Sequence, residues 1–420
     1  MLIEFHVENH RSLRDEQVLT MTAGRVGDDA DTRPRHVDGL SETLLPVAAL
    51  YGSNASGKTN VLNALDFMRA AVLFSFNNWE PDQGVPRNQF AWGPRRIEPS
   101  FFEVTVLVDA VRYQYGFLVS DECILEEWLF AWPNGKKQLW FERDSGTYKF
   151  GDNLKGDNKL IEGVTRTNAL FLSTAVQFKH PQLQAIFSWF RAMRPLNVGE
   201  FSHMLSTELA IARLFEEPGQ QTLFPEDDAS RDPLSERFLA LLRSADLGIV
   251  NLRVEKSEPI ERSRRPLRVR FHLKHQNDAG DAWLPLDQES KGTRTLFRFA
   301  FPILEAIRDG GVLLFDELEA SLHPSLAQQI VRQFNDPKTN PKNAQLIFTT
   351  HDTNLLGTTL GDPALRRDQV WLTEKDQQGA TVLYPLTDYK PRKAENLERG
   401  YIQGRYGAIP FLGDFTFAAE

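Results

Sequence analysis

The hydrophobic and polar positions divide the chain into stretches of different period. Residues 2–8, LIEFHVE, alternate apolar and polar, which predicts a half-buried strand, and the polar, Gly- and Asp-bearing run from 22 to 43 reads as a loop. PVAALYG, 46–52, is a short apolar run, and behind it Val61, Leu62, Leu65, Met68 and Val72 recur at helical spacing. Alternation returns over 101–150 (FFEVTVLVDAVRYQYGFLV, EEWLFAW, KKQLWFE) with turn residues VSDE and PNGK between, the pattern of an antiparallel meander. SWFRAMRPL and the stretch 204–247 read as largely helical, interrupted by the acidic, Pro-bearing loop EEPGQQTLFPEDDASRDP. Two further apolar runs, in GVLLFDELEASLHP (311–324) and NAQLIFTTHDTNLL (343–356), predict buried strands. The class is mixed α/β with more than one sheet. No repeat period and no sustained heptads occur, so no long coiled-coil arm is predicted.

GSNASGKT, 52–59, fits G-x-x-x-x-G-K-[ST] at every fixed position, between a predicted strand and a predicted helix. Gly52 and Gly57 let backbone N–H groups converge on phosphate oxygens, and the helix aims its positive end at them. Lys58 would reach the terminal phosphates and Thr59 would hold magnesium. Such a loop needs a second carboxylate, and VLLFDE supplies it: Asp316 would reach Mg²⁺ directly or through water, and Glu317 would polarise a water against the γ-phosphate. His351, at the end of the strand in 343–356, could donate a hydrogen bond to that phosphate. Lys58 and Asp316 stand too far apart for a small kinase or GTPase core without a large insertion, and TEKD at 373–376 does not fit the GTPase base-reading pattern. Just before Asp316, Ser290 and Gly292 open an amphipathic helix carrying Leu296, Phe299, Ala300, Ile303 and Leu304, so serine, glycine and helix N-terminus form an anion site.

Composition changes this picture only at its edges. The 420 residues are 41% hydrophobic and 25% charged, ordinary for a globular chain with a sizeable core. The single cysteine, Cys123, excludes an internal disulfide framework, fits a reducing cytoplasm and, among apolar neighbours, is expected to be a buried thiol. No stretch has the roughly 18 apolar residues of a membrane span, and the N-terminus meets charge too early for a signal peptide. A net charge of −9 does not indicate nucleic acid as a partner; the one basic segment, 253–274, holds eight Lys or Arg against three Glu, and its favoured reading is a solvated strand-turn-strand edge.

The order GSNASGKT, ESKGT, VLLFDE, SLHP, TTHD resembles the ABC-type ATPase head, with P-loop, signature, Walker B, D-loop and H-loop in sequence. LIEFHVENHRSLRDEQVLTM, NALFLSTAVQF, RRDQVWLTEKDQQGATVLYPL and YIQGRYGAIPFL sharpen it. They resemble the bacterial AAA-type ABC-head ATPases that accompany nucleases in phage-defence and abortive-infection loci, similar to the AriA- and OLD-type ATPases associated with RloB or TOPRIM nucleases. The resemblance covers nearly the whole chain. It implies an α/β P-loop NTPase fold with an SMC-like ABC-ATPase head, an antiparallel β-meander and a helical lobe: one head over 1–420, from an N-terminal half (1–180) and a C-terminal half (281–420) with a helical insert at 181–280.

The same resemblance implies ATP and Mg²⁺ as cofactors, with Gly52, Ser53, Asn54, Ala55, Ser56, Gly57, Lys58, Thr59 and Asn60 lining the nucleotide and Gln177, near Gln182, as the Q-loop glutamine on nucleotide and metal. Ser290 and Gly292 of a second subunit would close over the γ-phosphate, although ESKGT departs from LSGGQ. The implied partners are a second copy, in a homodimer or higher homo-oligomer, and a nuclease effector from a neighbouring gene. The chain itself shows no nuclease centre, since EDDAS at 226–230 has no flanking apolar strand. Two functions follow: a regulatory ATPase acting on a protein partner in defence, or a nucleic-acid-binding ATPase using 253–274, with composition leaning to the first.

Overall fold

The computed structural model describes residues 1–27, 30–198, 204–215, 233–245, 248–256, 269–276, 282–320, 322–359, 361–392 and 395–409. In chain order, β1 (Leu2–Glu8), β2 (Gln17–Thr20) and β3 (Val47–Gly52) precede α1 (Lys58–Phe74). Five strands follow, β4 (Ser100–Val108), β5 (Val111–Val119), β6 (Ile124–Trp132), β7 (Gln138–Asp144) and β8 (Thr147–Phe150). Next come α2 (Asn158–Val164), α3 (Phe171–Gln177), α4 (Gln184–Arg191), β9 (Arg194–Leu196), α5 (Met204–Leu214) and α6 (Pro233–Ala245). The remainder is β10 (Ile249–Lys256), β11 (Val269–His275), β12 (Trp283–Pro285), α7 (Lys291–Asp309), β13 (Val312–Phe315), α8 (Pro324–Asn335), β14 (Gln345–Thr349), β15 (Val370–Lys375), β16 (Thr381–Pro385) and α9 (Leu397–Ile402).

The central sheet runs β16-β15-β3-β14-β13-β9, parallel throughout except for β16. Every residue of β3, β13 and β14 is buried, as strands covered on both faces must be, which is why they read as continuous apolar runs. Ala48 and Leu50 face α1 and the meander, while Val47, Ala49 and Tyr51 face the layer of α7, α8 and α9. β3 lies between β14 and β15, so the two ends of the chain close one sheet.

The second sheet, β2-β1-β4-β5-β6-β7-β8, is antiparallel. Its alternating residues Phe102, Val104, Tyr115, Phe117, Leu129 and Phe141 pack on α1, α3 and α4 through Met68, Val72, Phe171 and Phe190. A third, small sheet, β10-β11-β12, stands with α5 and α6 against α7. Among the described residues no helix is long and apolar enough to cross a membrane.

Two local expectations change. The helix over SWFRAMRPL ends at Arg191, and Arg194–Leu196 forms the outermost strand of the central sheet; Pro195 is tolerated there because β9 pairs on one side only. Cys123 is half-exposed in the β5–β6 turn, where Ser120 pins the backbone, rather than buried. Of the segment YIQGRYGAIPFL, the described residues 401–409 pack on the core through Tyr401, Tyr406 and Ala408, and the ring of Tyr401 meets Tyr51 at 5.5 Å. Most of the acidic loop with 226–230, and the basic residues Arg264 and Arg265, lie outside the described residues.

Candidate functional site

The glycine loop leaves the carboxyl end of β3, between β14 and β15, the edge of an open parallel sheet where ligands bind. Gly52 and Gly57 are demanded by packing as well as by phosphate geometry. A Cβ on Gly52 would lie 2.4 Å from Thr373 Oγ1, and one on Gly57, whose φ is +106°, would lie 2.0 Å from Thr381 Oγ1. The loop is tied to β15 and β16: Ser56 Oγ and Thr373 Oγ1 are 2.6 Å apart, and Thr381 Oγ1 donates to Ser56 O at 2.8 Å. Asn54 and Ala55 form its exposed tip, Ser53 is half-buried, and Asn60 turns away to donate to Ser12 Oγ at 2.7 Å.

Lys58 is buried with Nζ donating to Gly52 O (2.9 Å) and Ser53 O (3.0 Å), curled into its own loop. Burial lowers its pKa; the carboxylates of Asp316, Glu319 and Glu317, in that order, pull it back up. No acidic residue occupies the first turn of α1, so the helix N-terminus is left for an anion.

Thr59 Oγ1 donates to Asp316 Oδ1 at 2.9 Å, with Oδ2 at 3.1 Å. A hydroxyl and a carboxylate so placed suit Mg²⁺, a hard cation that takes one or two protein oxygens and fills its shell with phosphate and water. Among the described residues no group of three His, Cys, Asp or Glu side chains is placed to hold a metal.

Thr349, the buried last residue of β14, was not foreseen. Its Oγ1 donates to Asp316 Oδ1 at 2.6 Å and accepts from Glu317 N at 2.7 Å, so one hydroxyl sets both carboxylate residues. Glu317 needs that support because its φ is +55°, a left-handed conformation that costs a non-glycine residue about 1–3 kcal/mol. The turn leaves the side chain exposed beyond the strand end. His351, two residues past Thr349, also opens to solvent; burial of the rest of its ring and then the charge of Lys58 lower its pKa below the usual histidine value, which favours the neutral imidazole. A polar residue closing the run QLIFT was the available signal for Thr349; Thr373 and Thr381 gave none, since their contacts are made by the fold.

Gln177 does not reach this cluster. Ser173 Oγ accepts from Phe76 N, and the ring of Phe178 lies 6.2 Å from that of Phe76, so α3 sits by the C-terminal end of α1. Thr59 is at the other end of that 17-residue helix, about 25 Å away at 1.5 Å per residue. Gln182 is also remote, engaged with Lys155 N and Asn153 O. The residue beside Asp316 is Asn197, just past β9, whose Nδ2 donates to Asp316 O at 3.3 Å.

Ser290 is the N-cap of α7, its Oγ accepting from Thr293 N at 3.1 Å, with Gly292 in the first turn. Glu289 is buried and paired with His275 Nε2 at 2.7 Å, which fixes the segment to β11. Among the described residues no hydrogen bond joins 52–60 to 290–292.

Residues 47–357 match the model of a family described as "AAA domain, putative AbiEii toxin, Type IV TA system". No curated protein matches the chain. Among solved structures, the chain is similar to an SMC head domain from Thermotoga maritima, at 12% identity and a TM-score of 0.40 over 91% of this chain and 98% of that one. It is also similar to an SMC head bound to the C-terminal winged-helix domain of ScpA, at 13% identity and a TM-score of 0.37 over 91% and 96%.

Proposed function

This chain belongs to that AAA-domain family, and from this premise we propose that it binds and hydrolyses ATP with Mg²⁺, dimerises around the nucleotide, and thereby controls a partner effector, a nuclease, in bacterial defence against phage. The observation that carries the ATPase reading is the meeting of Lys58 and Thr59 after β3 with Asp316 and Glu317 after β13, braced by Thr349 from the strand between. Lys58, now on its loop carbonyls, would hold the terminal phosphates, and Thr59 and Asp316 would hold the cation. Mg²⁺, when bound, neutralises charge on the phosphate oxygens. Glu317 orients the attacking water, and the neutral His351 donates to the γ-phosphate.

Ser290 and Gly292 supply a second helix N-terminus that, among the described residues, has no hydrogen bond to 52–60, and on this reading α7 of a second copy completes the site. An anion held between two helix N-termini favours the closed dimer only while the γ-phosphate is present, so hydrolysis opens it. The nuclease partner and the defence role rest on the resemblance of the motifs. On this reading the whole chain acts as a single head.

The test is Glu317→Gln, purified from its native host with Mg²⁺ and ATP. It should retain ATP, turn over at least about 10²-fold more slowly, accumulate as a dimer by light scattering, and bring down a nuclease-motif protein in near-stoichiometric amount. Normal hydrolysis removes Glu317 from the account, a monomer with ATP bound removes the sandwich, and retention of nucleic acid alone moves the reading to a nucleic-acid-binding ATPase.

A further inference from the structure

Beyond the ends of β13 and β14 the two segments stay joined. Glu317 N donates to Thr349 Oγ1 (2.7 Å), Leu318 N to Thr349 O (3.1 Å), and His351 N to Glu319 Oε1 (2.7 Å). The first two bonds run from the Glu317 turn to Thr349; the third runs back, from the His351 main chain to a side chain of that turn. Glu319 therefore ties the His351 main chain to the turn that carries Glu317. Its other oxygen, Oε2, is sealed from solvent and has no hydrogen-bond partner among the described residues. A carboxylate oxygen kept dry and unpaired costs about 1–3 kcal/mol or more, which a turn built only for stability would avoid.

The surroundings place Glu319 inside the site. It is the carboxylate that acts most strongly on the His351 ring, ahead of Glu317 and Asp316, and it stands second after Asp316 in its action on Lys58. Four charged groups thus face His351: Lys58 from α1, and Asp316, Glu317 and Glu319 from the turn after β13.

We propose that Glu319 is a positioning residue for hydrolysis, acting through His351: its Oε1 holds the His351 main chain so that the imidazole and the Glu317 carboxylate address the same γ-phosphate. The inference rests on the ATPase reading given above. It differs from that reading in assigning a task to a side chain that touches neither nucleotide nor cation.

The experiment is a double-mutant cycle on the full chain, with ATP affinity and phosphate release measured for wild type, Glu319→Ala, Glu319→Gln, His351→Ala and the Glu319→Ala/His351→Ala pair, and Glu317→Gln as control. Misplacing a reacting group by about an ångström costs up to roughly 100-fold. Glu319→Ala should therefore lower kcat by roughly 10- to 100-fold while ATP affinity stays within about threefold of wild type. Glu319→Gln, which keeps a carbonyl oxygen to accept from His351 N, should recover most of the loss. In the His351→Ala background, Glu319→Ala should add nothing, because its route to the reaction is gone. Wild-type kcat in Glu319→Ala, no recovery by Gln, or losses that multiply in the double variant would each overturn the proposal. Undiminished hydrolysis by Glu317→Gln would instead overturn the ATPase reading on which it stands.

Discussion

Thr59 Oγ1 and Asp316 Oδ1 are 2.9 Å apart, although 257 positions separate them in the chain. Thr59 opens α1, Asp316 follows β13, and β14 lies between β13 and β3 in the sheet. The hydroxyl oxygen and the carboxylate lie close enough that one divalent cation, on the proposed reading, would take both, the Thr59 hydroxyl keeping its proton but turning it away from Asp316.

Asp316→Asn separates the hydrogen bond from the cation site. The amide oxygen can still accept from Thr59, so the fold should survive, but the negative charge that attracts Mg²⁺ is gone. ATP hydrolysis should fall by at least about 10²-fold and should not be restored by raising magnesium. Phosphate release measured across a magnesium titration checks this, and full recovery at high magnesium would show that Asp316 only tunes the affinity.

Thr349→Val keeps the volume and removes the hydroxyl that joins Asp316 to Glu317. Glu317 N is left without its acceptor at a residue already in the left-handed region. We expect kcat to drop roughly 10- to 100-fold with ATP affinity little changed, and a stability loss of about 1–3 kcal/mol. Thr349→Ser should restore both, measured by phosphate release and urea unfolding.

How far the sequence carried the reading depended on distance along the chain. GSNASGKT and VLLFDE were legible because a glycine loop between strand and helix, and an apolar run ending in two acids, are local patterns. Strands β1 and β4–β7 of the antiparallel sheet were legible from alternation in the same way. Gln177 was misplaced because its neighbours are local to α3, while its distance from Thr59 is set by where α3 packs along α1. Thr373 and Thr381 escaped because a threonine in a strand says nothing of the glycine loop that will lie on it. The short strand RPL escaped because it follows a helix directly and carries a proline.

Gly57→Ala should be more damaging than an ordinary loop substitution. The left-handed φ costs an alanine about 1–2 kcal/mol, and its methyl would overlap Thr381 Oγ1. ATP affinity should fall by more than about tenfold, since even 1.4 kcal/mol of distortion has that effect. Adding Thr381→Gly removes the closest overlap but leaves Ser12 Oγ at 2.9 Å and the φ penalty, so recovery should be partial. Complete recovery in the double variant would assign the whole defect to the clash.

His10 carries a stability prediction outside the nucleotide site. It is fully buried, neither ring nitrogen has a partner among the described residues, and its ring lies 5.6 Å from Phe67 and 5.4 Å from Phe102. Burial first, and the charge of Arg11 second, push its pKa down to about 3. The unfolded chain takes up this proton as pH falls through about 6.5, the ordinary histidine value, whereas the folded chain takes it up only near 3. Between those values the unfolded state binds more protons, so stability falls with falling pH, at up to about 1.4 kcal/mol per pH unit from this one residue. His10→Leu removes that slope and also removes two orphaned polar atoms. Its urea midpoint should be close to wild type at pH 7.5 and should exceed it increasingly below pH 6. A constant difference between the two proteins from pH 7.5 to 5 would mean that His10 takes up its proton equally in both states, which burial between two phenylalanines does not permit.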